Sequence, residues 1–133
     1  MKSHSLILAD TSVWIDFFRS AKSDHSQKLA DYLEQDRVCI VQVIRAEILS
    51  GSKTEMEYEK IKEGLSALPL LDDFPGFWDA IARARFRLAR KGFQASIPDL
   101  MIAVSAGHYG CGLFTLDKEF RQISTVVPFQ LEQ

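Results

Sequence analysis

Four carboxylates in this chain stand where a side chain can do chemistry. Asp10 ends an apolar run, Glu47 sits within an apolar segment, Asp99 follows Ser96-Ile97-Pro98, and Asp117 follows Leu113-Phe114-Thr115. Three of them have an ordinary structural explanation. Asp10 can cap the helix after it, Asp99 falls in a capping box with proline in the first turn, and Glu47 can face solvent. Yet Ser, Thr or Asn would serve as caps equally well, so capping leaves the choice of acid at every place unexplained. Brought together, such acids repel one another unless a cation lies among them. All-oxygen ligation, with His4, His25 and His108 at no metal-ligand spacing, favours Mg2+ or Mn2+ over zinc.

The elements that must position these acids are legible as alternating short apolar runs and helical patterns. Leu6 to Ala9 is an uninterrupted apolar run, which suits a central parallel strand buried on both faces, and Val13, Trp14, Phe17 and Phe18 then predict a helix. A polar loop over Arg19–Asp24 leads to a second helix with Leu29, Tyr32 and Leu33 as its buried stripe. A strand over Val38–Val41, a helix over Val43–Ser50 ended by Gly51, and a charged helix over Thr54–Leu68 stopped by Pro69 follow. Leu70–Leu71 is a short strand before the turn at Asp72–Gly76. From Phe77 a helix carries Phe77, Ile81, Ala84 and Leu88 on its core stripe and stops at Gly92; the next helix, Leu100 to Ala106, is apolar nearly all round and therefore central. Strands over Leu113–Thr115 and Val126–Phe129 complete the pattern, with Pro128 confining the last to an edge. This alternation predicts an α/β three-layer sandwich with a central parallel sheet of four to five strands. The carboxyl ends of all strands then share one edge, where Asp10 and Asp117 lie, where the Asp99 helix can begin, and from which Glu47 is about two turns away.

At 133 residues, 47% hydrophobic and 26% charged, the chain suits one domain with a real core. Its formal charge of −2 argues against coating nucleic acid by bulk positive charge but permits a local basic patch. Arg83, Arg87, Arg90 and Lys91 form such a patch, with no acid between Arg83 and Lys91; it is either a solvated face or a phosphate contact. Cys39 and Cys111, far apart in apolar surroundings, read as reduced buried thiols of a cytoplasmic protein. The apolar run ending at Asp10 is too short for a signal-peptide core or a membrane span. The three histidines read as ordinary surface residues.

Asp10-Thr11-Ser12 after an apolar strand, Glu47 with Gly51 downstream, Pro98-Asp99 before an apolar helix, and Thr115-Leu116-Asp117-Lys118-Glu119-Phe120 together resemble the PIN-domain ribonucleases, nearest to VapC-type toxins. The resemblance spans nearly the whole chain, as one domain over residues 1–133. One departure is Gln42-Val43, where the family often has a Thr-Pro or similar pair. The resemblance implies strand order 3-2-1-4-5 and a Mg2+- or Mn2+-dependent endoribonuclease, the toxin of a type II toxin–antitoxin pair. It also implies that Asp10 and Asp99 are direct ligands, that Asp117 and Glu47 complete the pocket directly or through water, and that Ser12 and Thr115 are hydrogen-bonding supports. RNA is the implied substrate and an antitoxin peptide covering the acidic pocket the implied partner, with homodimers formed through apolar helical surfaces. Competing readings are a housekeeping RNA-processing nuclease, a non-catalytic RNA-binding module, and an aspartyl-phosphate phosphotransferase. The last would favour Asp-x-Asp where this chain has Asp10-Thr11-Ser12.

Overall fold

Three-residue strand Ile7–Ala9 (β1) is buried along its whole length, with Ile7, Leu8 and Ala9 each at most 1% exposed. Because successive side chains leave a strand on opposite faces, this burial requires cover on both sides of the sheet. The computed structural model, which describes residues 5–19 and 22–132, supplies that cover with helices. After β1 come the helices Thr11–Arg19 (α1) and Asp24–Glu34 (α2), the strand Val38–Val41 (β2), and the helices Gln42–Ser50 (α3) and Glu55–Leu65 (α4). Strand Leu70–Leu71 (β3) and the helices Phe77–Arg90 (α5) and Ile97–Tyr109 (α6) lead to strand Gly112–Phe114 (β4), the short helix Glu119–Ile123 (α7) and strand Gln130–Leu131 (β5). His4 lies outside the described residues.

All strand pairs are parallel and the sheet runs β3-β2-β1-β4-β5, the order the resemblance implies. The register sets Leu8 beside Cys39 on one side and Leu113 on the other. From β1 the chain winds to β2 and β3 on one side, and returns through α6 to β4 and β5 on the other. The order therefore reverses between β1 and β4, and a crevice opens outside their carboxyl ends. Asp10 follows β1 at that crevice; Thr115 follows β4.

Helix α6 runs through the interior with Leu100, Ile102, Ala103 and Ala106 buried, as its all-round apolar sequence requires. Ser96 caps it, its hydroxyl accepting from the Asp99 N–H at 3.2 Å, and Gly110 closes it in the left-handed conformation at φ 68°. Gly107 is held small by packing: a methyl there would overlap the carbonyl oxygen of Pro128, which crosses the end of α6. Helix α5 buries Phe77, Ile81, Ala84 and Leu88, the stripe read from the sequence.

The closing strand is displaced from its predicted place. Over Val126–Phe129 there is no strand: the Val126 and Val127 N–H groups donate to the Ile123 carbonyl at 3.0 and 2.9 Å, finishing α7, and Pro128 has no N–H to give. Pairing begins only at Gln130, opposite Gly112, and β5 is an edge strand. Similarly β4 ends at Phe114, one residue before the predicted end, which frees Thr115 to turn its hydroxyl toward the crevice.

Candidate metal centre

Asp10 is a carboxylate only 5% exposed, held by side chains from both sides of the β1–β4 crevice. Ser12 donates its hydroxyl to Oδ1 at 2.5 Å and Thr115 donates to Oδ2 at 2.5 Å. Each hydroxyl oxygen is itself an acceptor: Ser12 Oγ takes the Leu116 N–H at 3.1 Å, and Thr115 Oγ1 takes the Asp117 N–H at 2.9 Å. With their acceptor sides occupied by backbone, both hydroxyls commit their protons to Asp10. The Val13 N–H also reaches Oδ1, at 3.3 Å, so Asp10 does cap α1. The cap uses Oδ1 and leaves Oδ2 to Thr115. Burial nevertheless raises the Asp10 pKa above its ordinary value; the bonds from Ser12, Thr115 and Val13 oppose that rise and the charge of Asp117 adds to it.

Asp99 enters from the other direction, as the third residue of α6, half-buried at the helix's positive end. Its N–H is capped by Ser96, one half of the capping box that the sequence allows. Its pKa is raised by burial first, with the charges of Asp117, Asp10 and Glu119 pushing the same way and a bond from Ser96 opposing. Asp117 is fixed by accepting the Glu119 N–H at Oδ1, 2.9 Å. One carboxylate oxygen each from Asp99, Asp117 and Glu119 lies within 4.8 Å of the others. Two oxygens on opposite sides of a Mg2+ are separated by about 4.2 Å, so a small inward adjustment would bring the three oxygens to the spacing a hard cation takes. The donors are all oxygen and the acids are mutually repelling, and a divalent cation fits both facts.

Of the acids the sequence singles out, Asp99 and Asp117 cluster with Glu119, and Asp10 lies near enough for its charge to act on Asp99 and for that of Asp117 to act on it. Glu47 does not join them directly: it is exposed on α3, its Oε1 accepting the Thr11 hydroxyl at 2.6 Å, one residue from Asp10. Sequence reasoning assigned no role to Glu119. The available signal was an acid two residues beyond Asp117, where an aspartate side chain commonly accepts the backbone N–H of residue i+2 and turns the chain. The basic face of α5 is dispersed. Arg83 and Arg87 line a groove of about 360 Å³ against Val104, Gly107 and His108. These positions lie five to nine residues beyond Asp99, about 8–14 Å along α6. Arg90 lies over the Phe86 ring at 4.5 Å, and Lys91 donates to the Thr125 carbonyl at 3.4 Å.

The sequence matches the PIN domain family over residues 7–126. It is similar to ribonuclease VapC11 of Mycobacterium tuberculosis, with 27% identity over 129 residues, 94% of this chain and 96% of that protein. Its fold is similar to VapBC-1 from nontypeable Haemophilus influenzae, with a TM-score of 0.78 and 20% identity over 96% of this chain and 97% of the other. It is also similar to VapBC2 from Rickettsia felis bound to a promoter DNA fragment, with a TM-score of 0.75 and 22% identity over the same shares.

Proposed function

The chain belongs to the PIN domain family, and on that premise we propose that it is a Mg2+- or Mn2+-dependent endoribonuclease, the toxin of a toxin–antitoxin pair. The observation that carries this reading is the convergence of Asp99, Asp117 and Glu119 beside a clamped Asp10, an arrangement that folding alone does not need. The ribonuclease name of its relative and the toxin–antitoxin complexes sharing its fold support the same reading.

Asp10, Asp99 and Asp117 would hold the ion, with Glu119 beside them and Glu47 at the rim. When bound, the ion supplies Lewis-acid activation of water and neutralises charge at the phosphodiester. Ser12 and Thr115 are positioning residues: they fix the plane of the Asp10 carboxylate and lower the cost of keeping it ionised. The N-terminus of α6 adds a fixed positive field at Asp99. Arg83, Arg87, Arg90 and Lys91 contact RNA outside the cleaved stretch. The chain acts as a single domain in the cytoplasm, in keeping with the buried free thiols Cys39 and Cys111. None of its described helices is long and apolar enough to cross a membrane. Its partners are an antitoxin whose peptide covers the acidic pocket, and a second copy of the chain.

Purified protein incubated with single-stranded RNA should cleave it with Mg2+ or Mn2+ and not in chelator. Asp10→Asn should fold and not cleave. Undiminished cleavage in chelator, or by a folded Asp10→Asn protein, would refute the reading.

A further inference from the structure

Thr115 and Asp117 face two ways. Besides bordering the acidic pocket they line a cleft of about 620 Å³ that continues from it between α2 and α7. Its cationic groups come from two walls: Lys28 from α2, and Lys118 and Arg121 from α7 and the residue that begins it. Lys28 lies over the Phe114 ring at 5.8 Å. The Lys118 and Arg121 side chains are exposed and take no hydrogen bond or ion pair among the described residues. The two further acids of the cleft are otherwise placed: Glu132 accepts the Tyr32 hydroxyl at 2.9 Å, and Asp24 stands in the first turn of α2, where a negative charge is favoured. None of the three forms an ion pair with the acidic pocket among the described residues.

Three cations spread over two walls suit a chain of successive anionic groups better than one compact anion. Because the cleft shares two residues with the acidic pocket, a strand lying in it passes the metal ligands. We propose that this cleft is a subsite for the phosphodiester backbone of single-stranded RNA flanking the scissile bond, with Lys28, Lys118 and Arg121 contacting its phosphates. The inference rests on the nuclease reading and deepens it: the RNA enters between α2 and α7, and the α5 basic face meets only RNA that extends further.

The test is the salt dependence of binding, measured with a short labelled single-stranded RNA in chelator so that no cleavage intervenes. Each phosphate contact in a single strand contributes about 0.7 to the slope of log affinity against log salt, so Lys28→Ala/Arg121→Ala should lose about 1.4 of slope. Lys28→Arg/Arg121→Lys should restore it, which a purely structural role for these side chains would not require. An unchanged slope in the alanine variant while the wild type cleaves RNA with Mg2+ overturns the cleft and leaves the nuclease. The expected loss of slope without cleavage under either divalent ion overturns the nuclease and leaves an RNA-binding cleft. A wild type that binds no RNA at low salt overturns the inference outright.

Discussion

Asp99→Asn should make the metal-free protein more stable and the metal-loaded protein comparatively less so. In the wild type, Asp99 has the charges of Asp117 and Glu119 within 4.8 Å, and each pair at that distance repels by about 0.9 kcal/mol even in the dielectric of water. Two pairs give about 1.7 kcal/mol, before counting Asp10 or the desolvation of a half-buried carboxylate. Against this, neutralisation forfeits the attraction of an anion to a helix N-terminus, about 0.3–1 kcal/mol. The cap is untouched, because Ser96 accepts the backbone N–H of residue 99 and an asparagine Oδ1 can still accept the bond that Ser96 gives the carboxylate. Repulsion wins, by about 1 kcal/mol. For 133 residues the unfolding entropy makes this a rise in Tm of about 4 °C. The pH dependence has a definite sign. A carboxyl whose folded pKa is raised disfavours the ionised folded chain, so its penalty is absent below the ordinary value of 3.8 and complete above the raised one. The advantage of Asp99→Asn in chelator should therefore be present at neutral pH and shrink as pH falls through that window. Saturating Mg2+ should reverse the order, since an ion at one hundred times its Kd stabilises wild type by about 2.7 kcal/mol and the variant lacks a ligand. Thermal melts in chelator and in Mg2+ at two pH values read all three effects. A variant that melts lower in chelator and gains as much from Mg2+ as wild type would show that the acids do not form one cluster.

Thr115→Val should remove one of the two hydroxyl donors to Asp10, raise that carboxyl's pKa further, and weaken Mg2+ binding by about 1.5–3 kcal/mol, readable by titration calorimetry; unchanged affinity would mean that Thr115 supports only the turn. Glu119→Gln should lower Mg2+ affinity and raise the metal-free Tm in the same sense as Asp99→Asn, and opposite signs in the two variants would remove Glu119 from the site. Arg83→Ala/Arg87→Ala should flatten the salt dependence of binding for a long RNA, with little change for a short one; an unchanged slope with both would leave this face merely solvated.

What was legible in the sequence, and what was not, follows from how local each determinant is. β1 and β2 declare themselves because strands buried on both faces must be apolar at every position, and all seven of their residues are buried. The α5 stripe is likewise local. β5 was misplaced because Val126 and Val127 look like strand residues, and only the hydrogen bonds to Ile123 reveal that the chain there is still leaving a helix. Asp10, Asp99 and Asp117 were legible through their positions at element ends. Glu47 was legible as an acid but not as a rim residue, since its distance from the others depends on how α3 packs beside α1. Glu119 depends on one local turn, and the cleft of Lys28, Lys118 and Arg121 joins parts of the chain 90 to 93 positions apart, and no periodicity records either.

The clamp on Asp10 also sets when activity can first exist. Asp10 and Thr115 are separated by 105 positions in the chain, so at about 5–20 residues per second roughly 5–20 s of synthesis separates the appearance of the carboxylate from that of its second hydroxyl donor. Until then Asp10 lacks Thr115 and Asp117 alike, and β1 lacks its β4 neighbour. A chain released before residue 115 therefore carries the first acid of the site without the strand that buries it or the acid that faces it. This order of assembly leaves a growing chain without a complete acidic site until synthesis is nearly finished.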